Sequence, residues 1–188
     1  MDHTALKRAC ASTDRFVASV TRDQLVLPTP CAEWNARALL NHLVGTLALH
    51  RALMTDTAPA LNMAPGGLPD VDVLGADPVA AYRTGVEGVL AVTDDDALAR
   101  THPTPLGDMP GAALSGFSTL DVLVHGWDLA RATGQDATLD ADLAEQLLAF
   151  ARQAITDDMR APRIGPEVAV AADARATDRL VAFMGRTP

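Results

Sequence analysis

Over Ala113–Ala130 the only ionisable side chains are Asp121, His125 and Asp128, and no proline interrupts the run. The run predicts one long helix from about Ala113 to Thr133, ended by Gly134. At spacings of four and three the three polar residues share one arc about 60° wide. A carboxylate and an imidazole at i and i+4 can reach a common point beside the helix, as a divalent metal requires. The same arc also fits the solvated face of an amphipathic helix, since charge stripes usually face water. Yet the arc carries Leu114, Phe117 and Ala132 as well. The opposite side offers Leu123, Gly126, Trp127 and Ala130 rather than charges. With no better polar face, the helix either exposes its functional side or turns it toward a cavity.

The remaining chain suits such a helix. Hydrophobic residues make up 48% of the 188 and aromatics only 4%, so Leu, Val and Ala must fill the core. Ala and Leu favour helices, while the β-branched and aromatic residues that favour strands are sparse. In HTALKRACASTDRFVASV, Leu6, Cys10, Thr13, Phe16, Val17 and Val20 recur at helical steps, which predicts a first helix over about His3–Val20. Two prolines in DQLVLPTPCAEW stop propagation. Asn35 then reads as the N-cap of a second helix reaching about Thr55. On it Leu49 and Leu53 fall within about 20° of His42, so His42 points inward. The Pro- and Gly-rich stretch from Asp56 to Ala76 predicts a long surface loop of the kind that forms lids or binding segments. Asp77-Pro78 starts a third helix to about Thr93. RTHPTPLGDMPG predicts a short β hairpin turning near Gly107-Asp108. A fifth helix is expected over about Leu139–Met159. The tail, residues 160–188, is expected to pack on the bundle with a short strand and a last helical turn or two. The whole chain, 1–188, is expected to form a single domain.

Charge narrows the partners. A formal charge of −9 without a Lys/Arg cluster argues against nucleic acid and anionic membranes, which are bound mainly through basic side chains. The N-terminus has no apolar signal region, and no stretch nears the roughly 18 apolar residues of a membrane span. Cys10 and Cys31 form no CxxC motif, so a reducing, cytoplasmic setting is expected. One Lys beside fourteen Arg, with abundant Ala, suggests a GC-rich bacterial genome.

His42 alone reads as a hydrogen-bonded core histidine. Facing a D-x-x-x-H pair on a partner helix, it becomes the third of three N/O ligands, a set that leaves a position open for water or substrate. The segments PTPCAEWNARALLNHLVG and STLDVLVHGWDLARATG resemble the actinobacterial branch of the DinB-like metal-binding superfamily, whose best-known relative is the mycothiol-dependent maleylpyruvate isomerase. The resemblance implies an all-α fold, a DinB-like four-helix bundle, here with an additional C-terminal helix. It also implies a metal site on His42, Asp121 and His125. In the isomerase the acid is Glu, so the shorter Asp121 implies monodentate, water-mediated or weaker ligation. That enzyme carries a further C-terminal domain where about thirty residues follow here, and maleylpyruvate is not the expected substrate.

The expected function is a thiol-dependent transferase or isomerase of the mycothiol type, acting on a small electrophile through a metal-activated thiolate. Zn is the expected metal, with Ni, Fe and Co suited to the same donors. The competing readings are a non-catalytic metal-binding or ligand-sensing helical bundle and a metal-free structural bundle. Asp128 is expected to orient a ligand or to be exposed, Cys31 to be a small buried residue, and Trp34 and Trp127 to be packing anchors. His50 reads as peripheral, and His102 as able to approach the site from its loop. The apolar outer side of the fourth helix would permit a homodimer.

Overall fold

The computed structural model describes residues 1–64, 66–105, 107–160 and 164–188. Helices α1 (His3–Ala18), α2 (Ala36–Met54), α3 (Pro78–Leu90) and α5 (Gly111–Thr133) are the long elements of the first two thirds of the chain. Helix α1 packs on α5, α5 on α2, α2 on α3 and α3 on α1, which closes a four-helix ring. Leu6, Leu39, Leu43, Leu47, Leu123 and Leu129 fill its interior without exposure, as the shortage of aromatics requires. The fold is the helical bundle expected for a DinB-like chain.

The helix starts follow local chemistry. Asp2, Asn35, Asp77, Asp94 and Asp140 each accept a hydrogen bond from the backbone N–H three residues on. Each thereby satisfies a donor that the first helical turn leaves open. Gly134 ends α5 in the left-handed region, at φ 71°.

Helices α1 and α5 approach closely because residue 126 has no side chain. A Cβ built there would lie 2.3 Å from Thr13 Oγ1. Thr13 uses this closeness to donate to the Val122 carbonyl at 2.9 Å, inside the core. The face of α5 that bears Leu123, Gly126, Trp127 and Ala130 is therefore buried within the chain, and a second copy would have to use another surface.

Several boundaries differ from expectation. The third helix stops at Leu90, and the acidic run after it forms a short helix, α4 (Asp95–Ala99), capped by Asp94. The hairpin pairs β1 (Thr101–Thr104) with β2 (Gly107–Pro110), so Gly107 and Asp108 lie in a strand rather than at the turn. Of the two residues between the strands, Leu106 lies outside the described residues. Buried His102 pins the hairpin: its ring nitrogens meet Asp56 Oδ1 at 2.9 Å and the Ala97 carbonyl at 2.8 Å. The expected fifth helix is α6 (Ala141–Ala154). It breaks at Ile155, whose backbone is extended, and a short helix, α7 (Asp157–Arg160), follows. The expected tail strand does not form among the described residues. That segment is tied by the bond from Val168 N–H to the Ala182 carbonyl instead of by a partner strand. Helix α8 (Ala176–Phe183) packs on α6, with Leu180, Val181 and Phe183 in the core.

Gly126→Ala tests the α1–α5 contact. The added methyl must push Thr13 aside, and such overpacking costs about 1–3 kcal/mol. A chemical denaturation midpoint unchanged from wild type would show that the two helices have room to part at this point.

Candidate metal centre

Helices α2 and α5 cross so that three donors meet. His42 Nε2 lies 3.1 Å from Asp121 Oδ1, and His125 Nε2 lies 3.5 Å from the same oxygen. The other ring nitrogens are already engaged. His42 Nδ1 donates to the Gly67 carbonyl at 2.5 Å, and His125 Nδ1 donates to Asp128 Oδ2 at 2.9 Å. Carbonyls and carboxylates only accept, so each Nδ1 carries the hydrogen and each neutral ring turns the lone pair of Nε2 toward Asp121. Two lone pairs aimed at one anionic oxygen repel unless a cation lies among them. A proton on one imidazole can supply it, and so can a metal ion.

The second oxygen of Asp121 is not free. Thr46, one turn after His42 on α2, donates its hydroxyl to Oδ2 at 2.9 Å. Only Oδ1 then faces the histidines, an arrangement for monodentate ligation. The His42 and His125 side chains keep only 9% and 12% exposure while Asp121 keeps 27%, so the site opens on the carboxylate side. The Trp34 ring lies over both imidazoles, with centroids 4.7 Å from His42 and 5.8 Å from His125.

Electrostatics separates the two histidines. Burial pulls His42 down, but the Asp121 carboxylate and its hydrogen bond outweigh burial, and the net shift is upward. For His125 burial prevails over Asp121 and Asp128, and the shift is downward. Asp121, despite burial, is held well below the usual carboxylate range by the two histidines and Thr46. Without a metal, a proton in this cluster is therefore held more readily by His42 than by His125.

A second group, Cys31, His125 and Asp128, also has ligand atoms within 4.8 Å of one another. Its charge balance differs. Arg186 Nη2 donates to Asp128 Oδ2 at 2.8 Å and Nε to Oδ1 at 3.2 Å, so a guanidinium already neutralises the carboxylate. Burial and the neighbouring Asp128 push the Cys31 thiol up to about 12, leaving it a donor to Asp128 Oδ2 at 3.2 Å. Asp128 itself falls to about 2: burial opposes this, but the His125 hydrogen bond and Arg186 outweigh it. A protonated thiol beside a satisfied ion pair is a poor metal site.

His42, Asp121 and His125, singled out from the sequence, come together. Asp128 is fully buried against His125 rather than exposed. Trp127 is a packing residue, whereas Trp34 covers the histidines. His50 is buried away from this cluster, its pKa lowered to about 4 by burial and by His102, and His102 lies against Asp56 rather than at the site. Sequence reasoning missed Thr46, Gly67 and Arg186. Thr46 was accessible as the i+4 neighbour of His42. Gly67 and Arg186 carry no local signal. In the 56–76 loop, Asn62 and Asp70 clasp each other, and Ala64 bonds Leu68 and Gly67. This brings the Gly67 carbonyl onto His42. Gly67 has φ +88°, and a Cβ there would lie 3.4 Å from Trp34.

Residues 6–130 match the family described as the mycothiol maleylpyruvate isomerase N-terminal domain. The uncharacterized proteins MT0763 and Rv0738 of Mycobacterium tuberculosis are each 34% identical over 185 residues, covering 97% of this chain and 96% of theirs. Two crystal structures of the mycothiol-dependent maleylpyruvate isomerase, one of a histidine-to-alanine mutant, superpose with TM-scores of 0.58 and 0.55 at 15% identity. They cover 78% of this chain, which spans 66% of the isomerase's length. At that identity the likeness is one of fold.

A metal held by these atoms must displace the His42 proton, which sets the direction of its pH dependence. Affinity for Co²⁺, measured against a competing chelator, is expected to fall about tenfold per pH unit below the raised His42 value and to level off above it. A flat profile from about pH 5 to 8 would place the metal elsewhere.

Proposed function

The chain belongs to the mycothiol maleylpyruvate isomerase N-terminal domain family, and on that premise we propose that it binds one divalent metal through His42, Asp121 and His125 and performs thiol chemistry there. The observation that carries this reading is the pair of imidazoles, each with Nδ1 anchored and Nε2 turned on a single carboxylate oxygen. Histidine ligands commonly have such an anchor at the second nitrogen, which fixes both tautomer and ring direction. Zn²⁺ suits two imidazoles and a carboxylate, and Ni, Fe and Co accept the same donors. Three protein donors fall short of the closed set of four that structural zinc sites use. The residues therefore fit a working metal better than a structural one.

When bound, such an ion lowers the pKa of a coordinating thiol and keeps it as thiolate, the nucleophilic form. The chain's own residues prepare the place. Thr46 occupies one Asp121 oxygen, Trp34 and the turn at Gly67 shield the imidazoles from water, and the open side lies beside Asp121. The co-substrate is a low-molecular-weight thiol of the mycothiol type, and the partner a small electrophile, which is conjugated or isomerised. The bundle and the tail act as one domain. Among the described residues no helix is long and apolar enough to cross a membrane.

Elemental analysis of protein purified without an affinity tag is expected to give about one metal per chain. Both His42→Ala and His125→Ala should lose it. Full stoichiometry in both variants would overturn the ligand assignment. Loaded protein should then accelerate addition of the thiol to a small electrophile, with the rate abolished by a chelator and restored by Zn²⁺. Stoichiometric metal without acceleration for any thiol–electrophile pair would leave a metal-binding bundle that is not a catalyst.

A further inference from the structure

Asp128 is the most buried charge near the site, with a side chain that has no exposure at all. An ionised carboxylate so far from water needs both counter-charge and hydrogen bonds. It has four donors. Oδ2 accepts from His125 Nδ1 at 2.9 Å, Arg186 Nη2 at 2.8 Å and the Cys31 thiol at 3.2 Å, and Oδ1 accepts from Arg186 Nε at 3.2 Å. Two of the four come from one residue, which arrives from beyond α8 and lies outside the 6–130 segment that matches the family.

A planar guanidinium that grips both oxygens of a carboxylate fixes the plane of the carboxylate as well as its position. The direction of Oδ2 then sets the rotation of the His125 ring, and the rotation of that ring sets where Nε2 points relative to His42 and Asp121. We propose that Arg186 is a positioning residue of the metal centre, acting through Asp128 to aim His125. This rests on the reading of His42, Asp121 and His125 as metal ligands. The arginine is itself held at both ends. Its backbone N–H donates to the Val181 carbonyl at 2.9 Å, and Nη1 donates to the Met184 carbonyl at 2.8 Å. Nη2 also touches Cys31 Sγ at 3.4 Å, and the side chain keeps only 11% exposure. Four of its five side-chain N–H donors are thus committed to the protein, which separates it from an arginine waiting for an anionic substrate.

The test is a Co²⁺ titration of the full chain, reading both affinity and the visible d–d bands, which respond to ligand direction. Thermal melting of each metal-free variant reports the fold. Arg186→Ala should weaken Co²⁺ binding by on the order of 10- to 100-fold and shift the bands. Arg186→Lys, which keeps the charge without the two-point grip, should recover part of the affinity with bands still shifted. The double variant Arg186→Ala/Asp128→Asn should bind no more weakly than Asp128→Asn alone, because the two residues act in series. Arg179→Ala removes the tie of α8 to Glu145 on α6 without touching Asp128, and should lower the melting temperature while leaving affinity and bands unchanged. Wild-type affinity and bands in Arg186→Ala would overturn the proposal while leaving the metal site standing. So would additive losses in the double variant, or an equal loss in Arg179→Ala. Should Arg186→Ala fail to fold, wild-type bands in Arg186→Lys overturn it. A wild-type chain that binds no Co²⁺ removes the metal reading and this inference together.

Discussion

Much of the molecule is arranged around one carboxylate oxygen. Asp121 Oδ1 faces the Nε2 atoms of two largely buried imidazoles, while its other oxygen is tied to Thr46. Such a cluster is unfavourable as three bare acceptors and stable with one positive charge at its centre. The crossing of α2 and α5 brings the groups together, and the backbone carbonyl at Gly67 and the carboxylate of Asp128 stop the rings from turning away. The close contact of α1 with α5 at Gly126 holds the second of these helices in place.

The neighbouring cluster shows what the first one lacks. Asp128 is as buried as any group in the chain, yet Arg186 and its partners satisfy it completely. Two carboxylates on the same arc of one helix, seven residues apart, thus meet opposite fates. One is neutralised by a side chain of the protein. The other looks to a proton on His42 or to a metal. The difference lies in which neighbours carry a built-in cation, and it separates a supporting residue from a candidate ligand.

The polar arc of α5 is legible in the sequence. Its residues fall on one face by helical arithmetic alone, and His42 lies on the inward face of α2 by the same arithmetic. Helix starts are legible too, since Asp and Asn caps act within four residues. Expectation and structure part where the cause lies far along the chain. The fifth helix stops at Ile155, and among the described residues the tail is tied to α8 by the bond from Val168 N–H to the Ala182 carbonyl without becoming a strand. His102, which its loop position would let approach the site, anchors the hairpin to Asp56 instead.

Local sequence determined the long helices of the bundle, the Asp and Asn caps, and the face on which Asp121, His125, Asp128 and His42 each lie. These depend on backbone hydrogen bonds and side-chain spacing within a few residues. Tertiary structure alone decided which polar group would be completed by which partner. The Gly67 carbonyl reaches His42 across 25 residues, and Arg186 reaches Asp128 across 58. No periodicity encodes such pairings, because they arise only when the chain has closed on itself and water has been expelled. Burial then makes an unmatched charge costly enough to fix every neighbour around it.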